Sequence, residues 1–179
     1  MRIAVSGSHC SGKTTLVEDF LQRHPDYAHE PEPYDLAEAR GAAFSAELTA
    51  ADVWQQLEIS VERLSGYEPG SNVIAERCPI DFLAYLEALN ASSMLDSARD
   101  LVCRGMQHVD LLIVLPLGDE IEAPEGEDPE LRDAMNASLL DIVDGDLVPG
   151  VRSVEISGTP HERLFALESA IRRWEQRVP

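Results

Sequence analysis

The sequence predicts an α/β fold, a three-layer sandwich in which helices cover both faces of a five-stranded parallel sheet. Three observations predict it. Five short runs of β-branched and aliphatic residues alternate with helical hydrophobic periods along the 179 residues. One run, Leu111-Leu112-Ile113-Val114-Leu115, is apolar on both faces, as a strand covered by helices on each side must be. The first run passes through a glycine loop directly into a helix, and no repeat or low-complexity linker interrupts the order.

Each element follows in turn. Arg2-Ile3-Ala4-Val5-Ser6 reads as the first strand, and Thr14 to Leu21 begins an apolar-periodic helix. A second strand is expected at Tyr27 to Glu30 and a third at Asn72 to Ala75, with Val53, Leu57, Val61 and Leu64 on one helical face between them. A helix runs through Phe82, Leu83 and Leu86 before the fourth strand, Asp110 to Leu115. Leu131, Met135, Leu139 and Ile142 then share a face, the fifth strand covers Ser153 to Ile156, and Leu164, Leu167, Ile171 and Trp174 close the pattern. These stripes are core. A single domain over residues 1–179 is expected, with ligands beyond the carboxyl ends of the strands.

Composition narrows the partners. A formal charge of −19, from 33 acidic and 14 basic residues, argues against binding nucleic acid, because counterion release needs a basic surface. The longest apolar run, Leu111 to Leu117, is too short to span a bilayer, and no charged-then-apolar leader precedes the first strand. Cys10, Cys78 and Cys103 are odd in number and lack C-x-x-C spacing. A cytoplasmic protein with no membrane partner and no structural zinc is the expectation; a homodimer is left open.

The most specific signal is Gly7-Ser8-His9-Cys10-Ser11-Gly12-Lys13-Thr14, which fits G-x-x-x-x-G-K-S/T at every fixed position. Chance agreement is roughly 10⁻⁵ to 10⁻⁴ per starting residue at ordinary amino-acid usage. Lys13 is also the only lysine among the 14 basic residues. Its flexible ammonium can curl over a loop and touch β- and γ-phosphate oxygens, where a planar guanidinium is too wide. Gly7, Ser8, His9, Cys10, Ser11, Gly12, Lys13, Thr14 and Thr15 are therefore the expected nucleotide contacts, their amides forming an anion nest at a helix N-terminus. The Thr14 hydroxyl is placed on Mg²⁺, and ATP or GTP is the first expected ligand.

Two further motifs fall at strand ends. His29-Glu30-Pro31-Glu32-Pro33 follows the second strand, and Glu76-Arg77-Cys78-Pro79-Ile80-Asp81 follows the third. Phosphoryl transfer needs a group to orient or deprotonate the attacking hydroxyl and cations to neutralise the transferred charge. Glu30 is the expected base, Arg77 its partner and a phosphate contact, and Glu76 a metal ligand, directly or through water. Asp81 is read either as a substrate contact or as the N-cap of the helix that follows.

On these residues the chain resembles the P-loop nucleoside and nucleotide kinases. Glu30-Pro31 and Glu76-Arg77 look like the deoxynucleoside kinase arrangement, which implies a glutamate base and an organising arginine. A base-reading glutamine on the intervening helix is implied at Trp54-Gln55-Gln56, with Gln56 taken as the contact. The overall pattern is similar to small AAA-type ATPase/kinase domains related to nicotinamide riboside kinase. The matching run is Glu76, Arg77, Asp81 and Tyr85, followed by Ser157 to Arg163, a loop that the resemblance places beside adenine. It also implies a strand order of 2-3-1-4-5 and a lid at about 118–133.

That lid departs from the pattern. Between Gly118 and Asp133 stand seven acidic residues before a single Arg132, which is assigned to transition-state charge. Such a stretch suits a cationic substrate, a degenerate lid or a solvated loop. The leading expectation is ATP- and Mg²⁺-dependent transfer to a hydroxyl of a small nucleoside-like metabolite, with Lys13, Glu30, Arg77 and Arg132 catalytic and Glu30, Gln56 and Asp81 at the acceptor. The alternative is a regulatory module with slow ATP or GTP hydrolysis and no small-molecule acceptor. An N-K-x-D guanine motif is ruled out, since Lys13 is the sole lysine.

Overall fold

In a computed structural model, residues 1–42, 44, 48–118, 128–145, 147 and 150–176 are described. The strands are β1 (Arg2–Ser6), β2 (Ala28–Glu30), β3 (Val73–Glu76), β4 (Leu111–Val114) and β5 (Arg152–Glu155). The helices are α1 (Lys13–Arg23), α2 (Pro33–Ala39), α3 (Ala50–Ser65), α4 (Pro79–Ala88), α5 (Leu95–Met106), α6 (Pro129–Asp144) and α7 (Pro160–Glu175). All strand pairs are parallel, in the order β2-β3-β1-β4-β5. Fold class and strand order are those the sequence predicts, with strand ends displaced by at most one residue.

Strand alternation divides the core into two. Ile3, Val5, Ile74, Leu111 and Ile113 turn to one face, against Leu16, Val17 and Phe20 of α1 and Leu164, Leu167 and Ile171 of α7. Ala4, Ala75, Leu112 and Val114 turn to the other, against α3, α4, α5 and α6. Because both faces are covered, the central strands are buried at every position, which explains their unbroken apolar runs. The edge strand β5 is exposed and carries Arg152 and Glu155, charges that discourage pairing with another edge.

Caps set the helix starts. Thr49 accepts from the Asp52 amide while Asp52 returns a bond to the Thr49 amide at 3.0 Å, and Thr159 and Glu162 repeat this reciprocal pair ahead of α7. Ser157-Gly158-Thr159-Pro160 thus has a demonstrable structural task. The helices α2 and α5 were not anticipated. The first is only seven residues long and begins on a proline, and the second packs Ala98, Val102 and Met106 into the core at helical spacing.

In this order the chain reverses between β3 and β4 on either side of β1, so the loop leaving β1 emerges at the topological switch point. The carboxyl ends of β2 and β3 lie beside it. No helix among the described residues is long and apolar enough to cross a membrane.

Candidate functional site

The loop between β1 and α1 holds its shape through two glycines. At Gly7 a Cβ would lie 2.6 Å from the Leu115 carbonyl oxygen, and Gly12 adopts φ 89° with Arg163 packed where its side chain would be. Three cationic side chains then grip three carbonyls of the same loop. Arg77 Nη1 donates to Gly7 O at 3.1 Å, Lys13 Nζ to Ser8 O at 2.9 Å, and Arg163 Nη1 to Ser11 O at 2.6 Å. In a planar trans peptide the N–H opposes the C=O, so each gripped carbonyl turns the next amide, of Ser8, His9 or Gly12, the other way. The amides of Gly12, Lys13, Thr14 and Thr15 have no acceptor among the described residues. They are the free donors at the start of α1, a ready site for an anion.

Lys13 is 4% exposed. Burial first, and the nearby Arg77 second, lower its pKa from 10.5 to about 8, although Glu32, Asp81 and Glu76 work in the opposite direction. Thr14 Oγ1 donates to Glu76 Oε1 at 2.5 Å, and burial raises the Glu76 pKa, Glu32 adding to the effect. Hydroxyl and carboxylate therefore stand together at the end of β3. No group of three or more His, Cys, Asp or Glu placed to hold a metal ion occurs among the described residues. One hydroxyl and one carboxylate fit Mg²⁺, which keeps waters and takes substrate phosphates for its remaining positions.

The two glutamates at the end of β2, Glu30 within it and Glu32 beyond it, point to different places. Glu30 is buried, accepts a bidentate pair of bonds from Arg63 at 2.9 Å each, and accepts a third from the Tyr67 hydroxyl at 2.6 Å. All of its partners are on α3 or just beyond it. Glu30 is thus a corner brace, and the expectation that it faces the phosphate loop is corrected. Glu32, two residues later, stands 3.8 Å from Lys13 Nζ and accepts from Arg77 Nε at 3.0 Å. Burial opposes its ionisation, yet Arg77 and Lys13 outweigh that and hold its carboxyl below the usual value.

Arg77 has φ 67°, so its side chain leaves β3 at an angle an ordinary strand residue does not allow. Its guanidinium reaches Glu32, Gly7 O and, at 3.8 Å, Asp81, and stands 5.5 Å from the Tyr85 ring centroid. Asp81 is fully buried at the third position of α4, where its carboxylate caps the helix by accepting from the N-cap amide of Cys78. It accepts from the Ser6 hydroxyl at 2.6 Å, the Gly7 amide at 3.0 Å and the Cys78 amide at 2.8 Å. The capping reading holds in this form, with Cys78 as the N-cap residue and Asp81 its reciprocal partner, while the reading as a substrate contact is corrected. With no exposure it cannot touch an acceptor, and it instead welds the start of the loop to α4. Asp81→Ala would leave three buried donors unanswered, and a loss of roughly 3 kcal/mol or more is expected in urea unfolding.

Beside Lys13 and Glu32 opens a cleft of about 330 Å³. Tyr34 and Asp35 of α2, Gln56 of α3, and Phe82 and Tyr85 of α4 line it. Gln56 is buried and reaches the Asp52 carbonyl at 3.4 Å, while Gln55 is exposed. Tyr34 stacks on Phe44 at 4.7 Å between centroids. Arg132 lies in the first turn of α6, with its Nε 3.8 Å from Asp133, so the last residues of the expected lid are helix. Residues 119–127 of that lid lie outside the described residues.

Sequence reasoning missed Glu32, Tyr34, Asp35 and the Arg63–Glu30–Tyr67 cluster. A signal for Glu32 existed in the second Glu-Pro pair, Glu32-Pro33, whose proline opens α2.

A central phosphate loop, an all-parallel 2-3-1-4-5 sheet and carboxylates at the ends of β2 and β3 define a P-loop domain with a nucleoside kinase-like fold. More particularly, a family model described as an AAA domain matches residues 2–163, and the chain belongs to that family. Solved structures agree on the fold. The NadR protein in complex with NR superposes with a TM-score of 0.70 at 18% identity over 96% of this chain and 50% of that one, so this chain spans half the length of NadR. Thymidylate kinase from Candida albicans gives 0.68 at 17% identity, covering 96% and 90%. Deoxyadenosine kinase from M. mycoides with bound dATP gives 0.69 at 12%, covering 96% and 100%. No curated protein matches the chain.

Proposed function

We propose that the protein is an ATP- and Mg²⁺-dependent kinase that phosphorylates a hydroxyl of a small nucleoside-like metabolite. The observation that carries this reading is the 3.8 Å approach of the Glu32 carboxylate to the Lys13 ammonium, where the phosphate loop meets the 330 Å³ cleft. A hydroxyl in that cleft would lie between the carboxylate and the phosphate held by the lysine.

Lys13 and the amides from Gly12 to Thr15 bind the β- and γ-phosphates. Thr14 and Glu76 hold Mg²⁺, which when bound neutralises charge on the phosphates. Glu32 takes the task that the sequence assigned to Glu30, accepting a hydrogen bond from the attacking hydroxyl. Its lowered pKa makes it a weak base, and the loose transition state of phosphoryl transfer asks chiefly for orientation. Arg77 holds Glu32 in place, Gln56 presents an amide to the acceptor, and Arg132 meets the transferred charge. The structural likeness to kinases that act on nucleosides and nucleotides supports the acceptor class.

The test is ADP production from Mg-ATP with a panel of nucleosides, nucleotides and related alcohols. At least one acceptor should raise the rate about tenfold or more over the acceptor-free rate. If none does, the protein is the slow regulatory NTPase of the competing reading.

A further inference from the structure

We infer that the acceptor carries no phosphate, and that the cleft selects a neutral or cationic ring-bearing alcohol against the corresponding phosphomonoester. This rests on the kinase reading above and names the chemistry of its second substrate.

Two carboxylates, Glu32 and Asp35, line the cleft, with Arg77 and His9 as the basic residues. Arg77 is committed, with Nε on Glu32, Nη1 on the Gly7 carbonyl and Asp81 at 3.8 Å. Lys13 donates to the Ser8 carbonyl of the phosphate loop, and the kinase reading assigns it to the donor phosphates. The arginines of the neighbouring helices are paired elsewhere, Arg40 with Glu62 and Arg63 with Glu30. A phosphomonoester acceptor brings about two negative charges at neutral pH and needs two or three cations to bind them. Here it would meet Glu32 and Asp35 instead.

Ala43, Ser45, Ala46 and Glu47 include no basic residue, and neither do residues 119–127, which contain five acidic ones. The remainder of the lining suits a ring. Phe82, Tyr85 and Tyr34 give aromatic surface, and the buried Gln56 supplies an amide able to read a polar ring edge. A volume of about 330 Å³ is at the small end of ligand sites, enough for one ring and a sugar.

The experiment compares matched pairs, each nucleoside with its own 5′-monophosphate, in Mg-ATP with the wild-type chain. The nucleoside should be preferred by about 100-fold or more in kcat/KM, because like charges brought together at a binding site are strongly excluded. Asp35→Arg, at an exposed position of α2, should narrow that preference by about tenfold or more by replacing repulsion with attraction. Equal or better use of the monophosphates by the wild type overturns the inference and leaves the kinase reading standing. So does an unchanged ratio in Asp35→Arg. If neither member of any pair raises ADP production, the kinase reading itself falls and takes this inference with it.

Discussion

Lys13→Met should raise the melting temperature of the nucleotide-free protein while removing its affinity for ATP. The folded protein holds the Lys13 proton less tightly than the unfolded chain does, at about 8 against an ordinary 10.5. Below pH 8 both states carry that proton, so the whole penalty of burying the charge stands. It is relieved as pH rises from about 8 to 10.5, where the folded state alone has lost it. That difference is equivalent to about 3 kcal/mol. Methionine keeps an unbranched stem of similar length without the charge, at the expense of the bond to Ser8 O. A net gain of about 3–6 °C is expected by scanning calorimetry at pH 7. Titration calorimetry should show ATP binding weakened by at least about 100-fold, since a buried charge partner is lost. With the wild type, kcat/KM for ATP should decline above about pH 8, as the free enzyme loses its ammonium. A variant that melts lower than wild type would show that burial of this ammonium is not a strain on the fold.

Exchanging each of the two glutamates at the end of β2 for glutamine should separate chemistry from architecture. Glu32→Gln keeps the size of the side chain and removes the charge that faces Lys13 and orients a hydroxyl. A fall in kcat of roughly 10²- to 10⁴-fold is expected, with KM for ATP changed only a few-fold. Glu30→Gln instead sets an amide against the Arg63 guanidinium and the Tyr67 hydroxyl, both of which now donate to a carboxylate. Folding should weaken by about 1–3 kcal/mol in urea, while turnover per folded molecule stays near that of the wild type. The opposite pattern, with turnover lost in Glu30→Gln and kept in Glu32→Gln, would return the orienting role to Glu30.

The reason these two residues were confused is physical. Each is a glutamate before a proline, and the two are separated by a single residue. Which of them faces the phosphate loop depends on where α2 turns the chain, a tertiary fact absent from the local pattern. Strand order and the β1–loop–α1 unit were legible because the motif fixes backbone and side chains together. Asp81 was less so. A carboxylate three residues into a helix reads as a cap or a ligand, and only its burial against Ser6 and Gly7 reveals a weld. Arg163 was visible only as the end of a motif, since nothing local ties a C-terminal helix to a carbonyl 152 residues away.

The three tethers on the phosphate loop come from positions 13, 77 and 163, distant along the backbone although adjacent in space. A protease nick that released the last helix would therefore slacken the front of the molecule with every residue of its signature intact. Fragments trimmed to the signature and its first strand and helix would inherit the letters without the socket.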